Sequence, residues 1–227
     1  MKLGMLLFML IPIVGHIYVF WHVWNIVPLH NWLKIVLLTL LSLGFVALVF
    51  SFGVGLNKVP MPLATCIYEF GTSSIFVLLY AVMLFLLLDI GRLVHLVPKH
   101  FMYNSLLGTL TVLGILLSVF VYGNIHYNNK VRQELHLNTS KHLDKPLKVV
   151  MISDLHLGYH NRRAEFARWV DLINAERPDL VLIVGDIIDI SVRPLLEENI
   201  AEEFRRIKVP IYACLGNHEY YSGDANA

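Results

Sequence analysis

Long apolar stretches without a single charged residue dominate the first 128 positions of the chain. No Asp, Glu, Lys or Arg occurs within Leu3–Leu33, Ile35–Asn57, Gly71–Leu88 or His100–Asn129. A helix of about 20 apolar residues is long enough to cross a bilayer. The pattern therefore predicts four membrane spans, at about residues 3–21, 33–52, 74–93 and 105–122. Four spans would place both ends of the chain on the same side of the membrane.

After residue 128 the pattern changes to short apolar runs separated by polar segments. Runs rich in β-branched residues at 148–153, 180–184 and 209–215 predict three strands. Helical periodicity predicts helices between them, at 162–175 and 194–207. Alternating strands and helices imply parallel strands joined by right-handed crossovers. The second region is therefore predicted to be a β-α-β-α-β unit.

Charge follows the same division. Of the 18 Lys and Arg and 17 Asp and Glu residues, only seven precede residue 129. The sequence thus predicts a transmembrane region of about four helices at 1–128, a linker and edge strand at 129–147, and an α/β domain at 148–227. The balanced net charge of +1 gives no support to a nucleic-acid surface. Two isolated cysteines, Cys66 and Cys214, exclude a disulfide framework and a Cys-based zinc site.

Few ionisable residues lie within the predicted spans. Asp89 and Arg92 are three residues apart near the end of the third span, which predicts a pair on one helix face rather than a transport site. A cleaved signal peptide is the rival interpretation of the N-terminus, but bulky aromatic residues follow the first apolar run. Basic residues divide almost evenly between the two sides, so the side of the α/β domain stays undetermined.

A polar cluster follows each of the three predicted strands. The clusters are Asp154-Leu155-His156, Gly185-Asp186-Ile187-Ile188-Asp189 and Gly216-Asn217-His218-Glu219. The carboxyl edge of an open parallel sheet is where ligands bind. Carboxylate, imidazole and amide groups together suit Mn, Fe, Zn or Mg. The three clusters therefore predict a metal site at one edge of the sheet.

In this order and spacing, the three clusters resemble the motifs of the calcineurin-like metallophosphoesterase superfamily, and residues 153–158 are similar to its membrane-anchored bacterial branch. The resemblance covers about residues 147–223 and implies the N-terminal half of an α/β metallophosphoesterase sandwich. It implies that Asp154 and His156 bind one metal, that Asp186 bridges two metals and that Asn217 binds the second. It also implies that His218 protonates the leaving group and that Asp189 orients His218.

The function that the resemblance implies is hydrolysis of a phosphoester or pyrophosphate bond, by attack of a hydroxide held between two divalent cations. The membrane anchor favours a lipid-linked or membrane-proximal phosphate ester as substrate. Superfamily members also carry later histidines, including a Gly-His-x-His pair, which do not occur before Ala227. This predicts a sequence cut short. The alternative is a non-catalytic membrane scaffold or binding protein with a degenerate phosphoesterase unit.

Overall fold

The computed structural model describes the backbone of residues 3–221 and the side chains of residues 10–220. The last six residues of the predicted α/β domain, 222–227, lie outside the described residues. The chain forms two compact units. The first comprises Met1–Gly55 and Phe70–Leu135, and the second comprises Leu56–Glu69 and His136–Ala227. The second unit thus includes a short segment that the sequence assigned to the transmembrane region.

Four long helices dominate the first 128 residues: α1 (Leu3–Ile26), α2 (Asn31–Gly53), α3 (Met61–Leu93) and α4 (Leu106–Asn128), with a 3₁₀ turn at Lys99–Phe101. Helices α2, α3 and α4 are each long and apolar enough to cross a membrane. The part of α1 with described side chains, Leu10–Ile26, is shorter, so the fourth span stays a prediction. The chain is a multi-pass membrane protein.

The first unit has a small apolar core that includes Ile26, Phe85 and Val112, while many large apolar side chains on its helices are exposed to the surroundings. Such an exposed apolar surface suits contact with lipid.

The polar contacts of the first unit differ from the predicted Asp89–Arg92 pair. The Asp89 carboxylate accepts a hydrogen bond from Tyr18 at 2.6 Å and lies 3.0 Å from His22 Nε2. Arg92 instead donates to the Tyr103 hydroxyl, because neighbouring elements offer partners that sequence spacing does not reveal.

The second unit contains a parallel three-stranded sheet in the order β1 (Val149–Ile152), β2 (Leu180–Val184) and β3 (Ile211–Cys214). Helix α5 (Arg163–Ala175) connects β1 to β2, as the sequence predicts. Together with the apolar helices before it, this arrangement confirms the predicted fold class.

Two local predictions for the region after residue 128 are wrong. The helix predicted at 194–207 is two short helices, α6 (Arg193–Glu197) and α7 (Ala201–Phe204), and Asn199 between them has a left-handed φ of 53°. The edge strand predicted within 129–147 is not formed, since residues 130–148 contain no strand. Residues 130–148 are exposed, and within the described part of the chain the strands β1, β2 and β3 pair only with one another.

The core of the second unit lies between the sheet and its helices. Phe166, Val170 and Ile173 form one face of α5 and are buried with Val181 and Ile183 of β2. Met151 and Tyr212 belong to the opposite face of the sheet, and both side chains are exposed within the described residues. Among the described residues, the helices therefore cover one face of the sheet. Because the strands are parallel, all three carboxyl ends meet at one edge.

Candidate metal centre

Three candidate ligands sit on strained backbone at the carboxyl edge of the sheet. Asp154, His156 and Asp186 have φ angles of 55°, 41° and 51°, all in the left-handed region. Asp and His adopt this conformation more readily than most residues, but it is still uncommon. Backbone strain of this kind costs about 1–3 kcal/mol per residue and concentrates at functional sites. The strained backbone at these three residues therefore indicates a functional site at this edge of the sheet.

Backbone hydrogen bonds hold the loops after β1 and β2 together. The N–H groups of Asp154 and His156 donate to the carbonyls of Gly185 and Asp186, at 3.3 and 2.9 Å. Asp189 N–H donates in return to the Leu157 carbonyl at 3.0 Å. This ladder continues the pairing of β1 and β2 beyond the strands. These hydrogen bonds fix the backbone positions from which the side chains of the two motifs extend.

The side chains of the first two motifs converge. One ligand atom from each of Asp154, His156 and Asp186 lies within 4.8 Å of the other two. The His156 Nε2 atom is 3.8 Å from Asp154 Oδ1. A second group, which shares His156, brings together His156, Asp189 and His218 within the same limit. The structure thus brings together five of the six site residues that the sequence predicted.

The sixth residue, Asn217, opens the short helix α8 (Asn217–Tyr221) and is exposed. Its neighbours contact Asp186: the His218 N–H donates to Asp186 Oδ1 at 2.9 Å, and a Cβ atom on Gly216 would overlap Asp186. Gly185 has a φ of 73°, and a Cβ there would lie 2.8 Å from Gly216 Cα. Only glycine allows the two loops to approach this closely. Asn217 therefore lies between two residues, Gly216 and His218, that contact Asp186.

His218 and Asp189 form the second part of the site. The His218 Nδ1 atom lies 2.9 Å from the Asp189 carbonyl oxygen and 3.6 Å from its Oδ1 atom. The rings of His218 and His156 meet edge to face, with centroids 4.3 Å apart. The Asp189 side chain is only 12% exposed, whereas that of Asp154 is 64% exposed. Asp189 is thus a buried neighbour of both imidazoles.

Glu219 is a site residue to which the sequence assigned no role. Its side chain is buried, and its carboxylate accepts hydrogen bonds from the N–H groups of Asp186, Ile188 and Gly216, at 3.1, 2.9 and 2.6 Å. Burial raises the pKa of Glu219, but these backbone donors outweigh it and hold the pKa below its ordinary value. The position of Glu219 at the end of the third motif was the only available sequence signal.

The comparisons with known proteins agree with this geometry. Residues 147–227 match the sequence profile of the family described as calcineurin-like phosphoesterase. This region is a calcineurin-like phosphoesterase domain. The resemblance inferred from the three motifs is therefore confirmed at the level of the superfamily.

The curated relatives are named as metallophosphoesterases, some of them transmembrane. An uncharacterized metallophosphoesterase of Campylobacter jejuni, Cj0846, is 35% identical over 125 residues, covering 53% of this chain and 33% of the relative. The transmembrane protein with metallophosphoesterase domain of Danio rerio is 39% identical over 80 residues, covering 34% of this chain and 18% of the relative. The protein of the same name from Bos taurus is 37% identical over 81 residues, covering 35% and 18%.

The chain spans between about a fifth and a third of the length of these relatives. No solved structure matches it significantly. The Campylobacter alignment is longer than the phosphoesterase domain of 147–227, so the similarity extends upstream of that domain.

The candidate ligand atoms of the phosphoesterase domain suit a divalent cation. Two carboxylates and one imidazole, from Asp186, Asp154 and His156, match the oxygen and nitrogen ligands of Mn, Fe, Zn or Mg. Their mutual distances are compatible with one ion between them. The family binds divalent metals, and these residues are the candidate ligands.

Proposed function

We propose that this protein is a membrane-anchored dimetal phosphoesterase that hydrolyses a phosphoester or pyrophosphate bond. The observation that carries the proposal is the convergence of Asp154, His156 and Asp186 on left-handed backbone at the carboxyl edge of the sheet. Left-handed backbone at these three residues lowers the stability of the fold. All three residues nevertheless direct a metal-binding side chain to one point. Their arrangement is understandable if they bind metal.

In this proposal Asp154 and His156 would hold one cation, Asn217 would hold a second, and Asp186 would bridge the two. Asp186 suits the bridge because its carboxylate has two coordinating oxygens and lies next to the Gly216 turn that leads to Asn217. When bound, the cations would supply Lewis-acid chemistry and neutralise charge on the phosphate. The residues of the chain would orient the phosphate against this edge.

His218 is proposed to donate a proton to the leaving oxygen, and Asp189 to orient the imidazole. The Nδ1 atom of His218 faces the Asp189 carbonyl and carboxylate, which fixes the orientation of the imidazole. The Asp189 acceptors at Nδ1 favour the ring orientation in which that nitrogen carries hydrogen. This arrangement supports a general acid at His218.

The experiment uses protein expressed from the complete coding sequence and purified in detergent micelles. General acid catalysis contributes roughly 100 to 10,000 fold. His218→Ala is expected to lose rate by this order on an alkyl phosphate ester and much less on a nitrophenyl ester, whose leaving oxygen hardly needs a proton. Bound metal, measured by elemental analysis, should not change. His142→Ala is the matched control, because the His142 side chain is 90% exposed and belongs to the linker.

Equal losses on both esters, or loss of metal in proportion to rate, would show that His218 binds substrate or metal instead. A wild-type protein that binds metal without hydrolysing either ester would favour the scaffold or binding protein. The anchor leads us to propose a lipid-linked or membrane-proximal phosphate ester. Hydrolysis of a lipid phosphate in vesicles, compared with its soluble head-group ester at equal phosphate concentration, tests that choice.

A further inference from the structure

The segment Leu56–Glu69 consists of the loop after α2 and the start of α3, but it belongs to the same compact unit as the phosphoesterase domain. Three of its side chains are almost fully buried: Leu56, Ala64 and Tyr68 are 2%, 0% and 6% exposed. Ala64 and Tyr68 are four residues apart in α3 and therefore share one helix face. The first two turns of α3 thus pack as part of the second unit.

Arg193 of the phosphoesterase domain forms hydrogen bonds with the backbone at the start of this segment. One guanidinium nitrogen of Arg193 donates to the carbonyls of Leu56 and Val59, both at 2.8 Å. The Nε atom of Arg193 donates to Glu197 at 2.6 Å, which fixes the guanidinium plane. Hydrogen bonds from a charged donor are stronger than neutral ones. The loop that precedes α3 is therefore attached through its backbone.

Tyr68 reaches the metal centre. Its hydroxyl donates a hydrogen bond to Asp189 Oδ2 in a buried contact between residues 121 positions apart. The other carboxylate oxygen, Oδ1, faces His218 Nδ1 at 3.6 Å and His156 Nδ1 at 3.9 Å. The two oxygens of Asp189 thus have different partners, a phenol on one side and two imidazoles on the other. Fixing Oδ2 also fixes the direction in which Oδ1 points.

Membrane topology is compatible with this contact. After Glu69, the rest of α3 and then α4 cross the membrane before the phosphoesterase domain begins. An even number of crossings puts both on the same side, whichever side that is. Helix α3 has 33 residues, or about 50 Å at 1.5 Å per residue, whereas the hydrocarbon core is about 30 Å thick. Its length leaves several residues outside the hydrocarbon.

We propose that Leu56–Glu69 is an integral part of the phosphoesterase unit and that Tyr68 is a positioning residue for Asp189. By holding Asp189, Tyr68 orients the imidazoles of His156 and His218. The proposal rests on the metal centre described above and adds a residue from outside the matched family region. A soluble form that began after residue 128 would lack this residue.

The first test measures Mn²⁺ affinity of the full-length protein in detergent micelles. Partners that orient metal ligands typically contribute 10 to 100 fold to metal affinity, so Tyr68→Phe should weaken Mn²⁺ binding by about tenfold. Tyr159→Phe is the matched control. Its ring is equally buried and lies 5.5 Å from that of Tyr68, but its hydroxyl forms no hydrogen bond with Asp189. Tyr159→Phe should leave Mn²⁺ affinity unchanged.

A double-mutant cycle shows whether Tyr68 acts through Asp189. In an Asp189→Ala background, Tyr68→Phe should weaken Mn²⁺ binding no further, because the phenol has lost its partner. On an alkyl phosphate ester, Tyr68→Phe should lower kcat by about tenfold and leave KM nearly unchanged. Additive effects on Mn²⁺ affinity, or equal effects of the two tyrosine variants, would overturn the positioning role.

Cross-linking tests the docking of the segment without metal or substrate. Glu69 Oε1 lies 3.7 Å from His160 Nδ1, so a Glu69→Cys, His160→Cys pair should react with a short bifunctional maleimide in a background without Cys66 and Cys214. A Glu69→Cys, Lys145→Cys pair should not, because Lys145 bonds to Asp179 at the opposite edge of the sheet. Failure of the first pair, or equal cross-linking of both, would overturn the docking. A protein that cross-links as expected but hydrolyses no ester would contradict only the proposed enzymatic function.

Discussion

Replacing Glu219 by Ala is expected to loosen the two loops that carry Asp186 and Asn217. The Glu219 carboxylate is the shared acceptor of three backbone N–H groups, which belong to Asp186, Ile188 and Gly216. These groups come from the loops after β2 and β3, so a single side chain connects two of the three motifs. Alanine removes the shared acceptor of three half-buried backbone donors.

The magnitude follows from the number and kind of these hydrogen bonds. A hydrogen bond to a charged group contributes about 1.5–3 kcal/mol. Each of the three amides should therefore exchange its hydrogen roughly 10 to 150 fold faster in Glu219→Ala. The whole loss is smaller than the sum over three bonds, since the loops can relax together. Hydrogen exchange is suitable because it reports local opening at individual amides.

The assay is amide hydrogen exchange of the protein in detergent micelles, without added metal. The Val181 N–H donates to the Pro210 carbonyl at 2.9 Å near the amino-terminal ends of the strands. This amide should exchange at the wild-type rate. Glu202→Ala is the matched variant, because the Glu202 carboxylate bonds to the exposed Arg205 and not to a loop. Wild-type exchange at Asp186, Ile188 and Gly216 in Glu219→Ala would refute the role assigned to Glu219.

Three further predictions concern charge, pH and topology. Asp186→Asn should greatly reduce both bound metal and hydrolysis, as measured by elemental analysis and ester turnover; normal values for both would contradict a bridging carboxylate. Because the folded-state pKa of Glu219 lies below its ordinary 4.5, its stabilisation is complete above about pH 4.5 and is lost as the pH falls through the lower value. The Tm difference between wild type and Glu219→Gln should therefore shrink in that acidic range, and a constant difference would exclude this titration. Reporter fusions at both ends should lie in the same compartment, whereas opposite compartments would mean an odd number of spans.

Features that depend on neighbouring residues were predictable from the sequence. Apolar stretches identified the membrane helices, and β-branched runs identified all three strands to within about two residues. The motif residues at the strand ends could be placed together because parallel strands end at one edge. Asp154, His156 and Asp186 do converge there. Local pattern and strand direction were sufficient for this much.

Contacts between distant segments were decided only by the tertiary structure. Glu219 was named in the third motif, but its role depends on backbone donors 31 to 33 positions away. Tyr68 stood between two predicted spans of the transmembrane region, and nothing in its local pattern indicates a contact with Asp189. Asp89 likewise pairs with Tyr18 on another helix instead of Arg92 on its own.

The sequence by itself determined the division into an apolar helical region and an α/β domain, because periodicity and charge act through adjacent residues and the solvent around them. It also determined which side chains could bind metal, since that is a property of their chemistry. The tertiary structure decided which carboxylate bonds to backbone, which faces an imidazole and which segment completes the unit. Those choices depend on packing between residues that are far apart in the chain, and no local pattern records them.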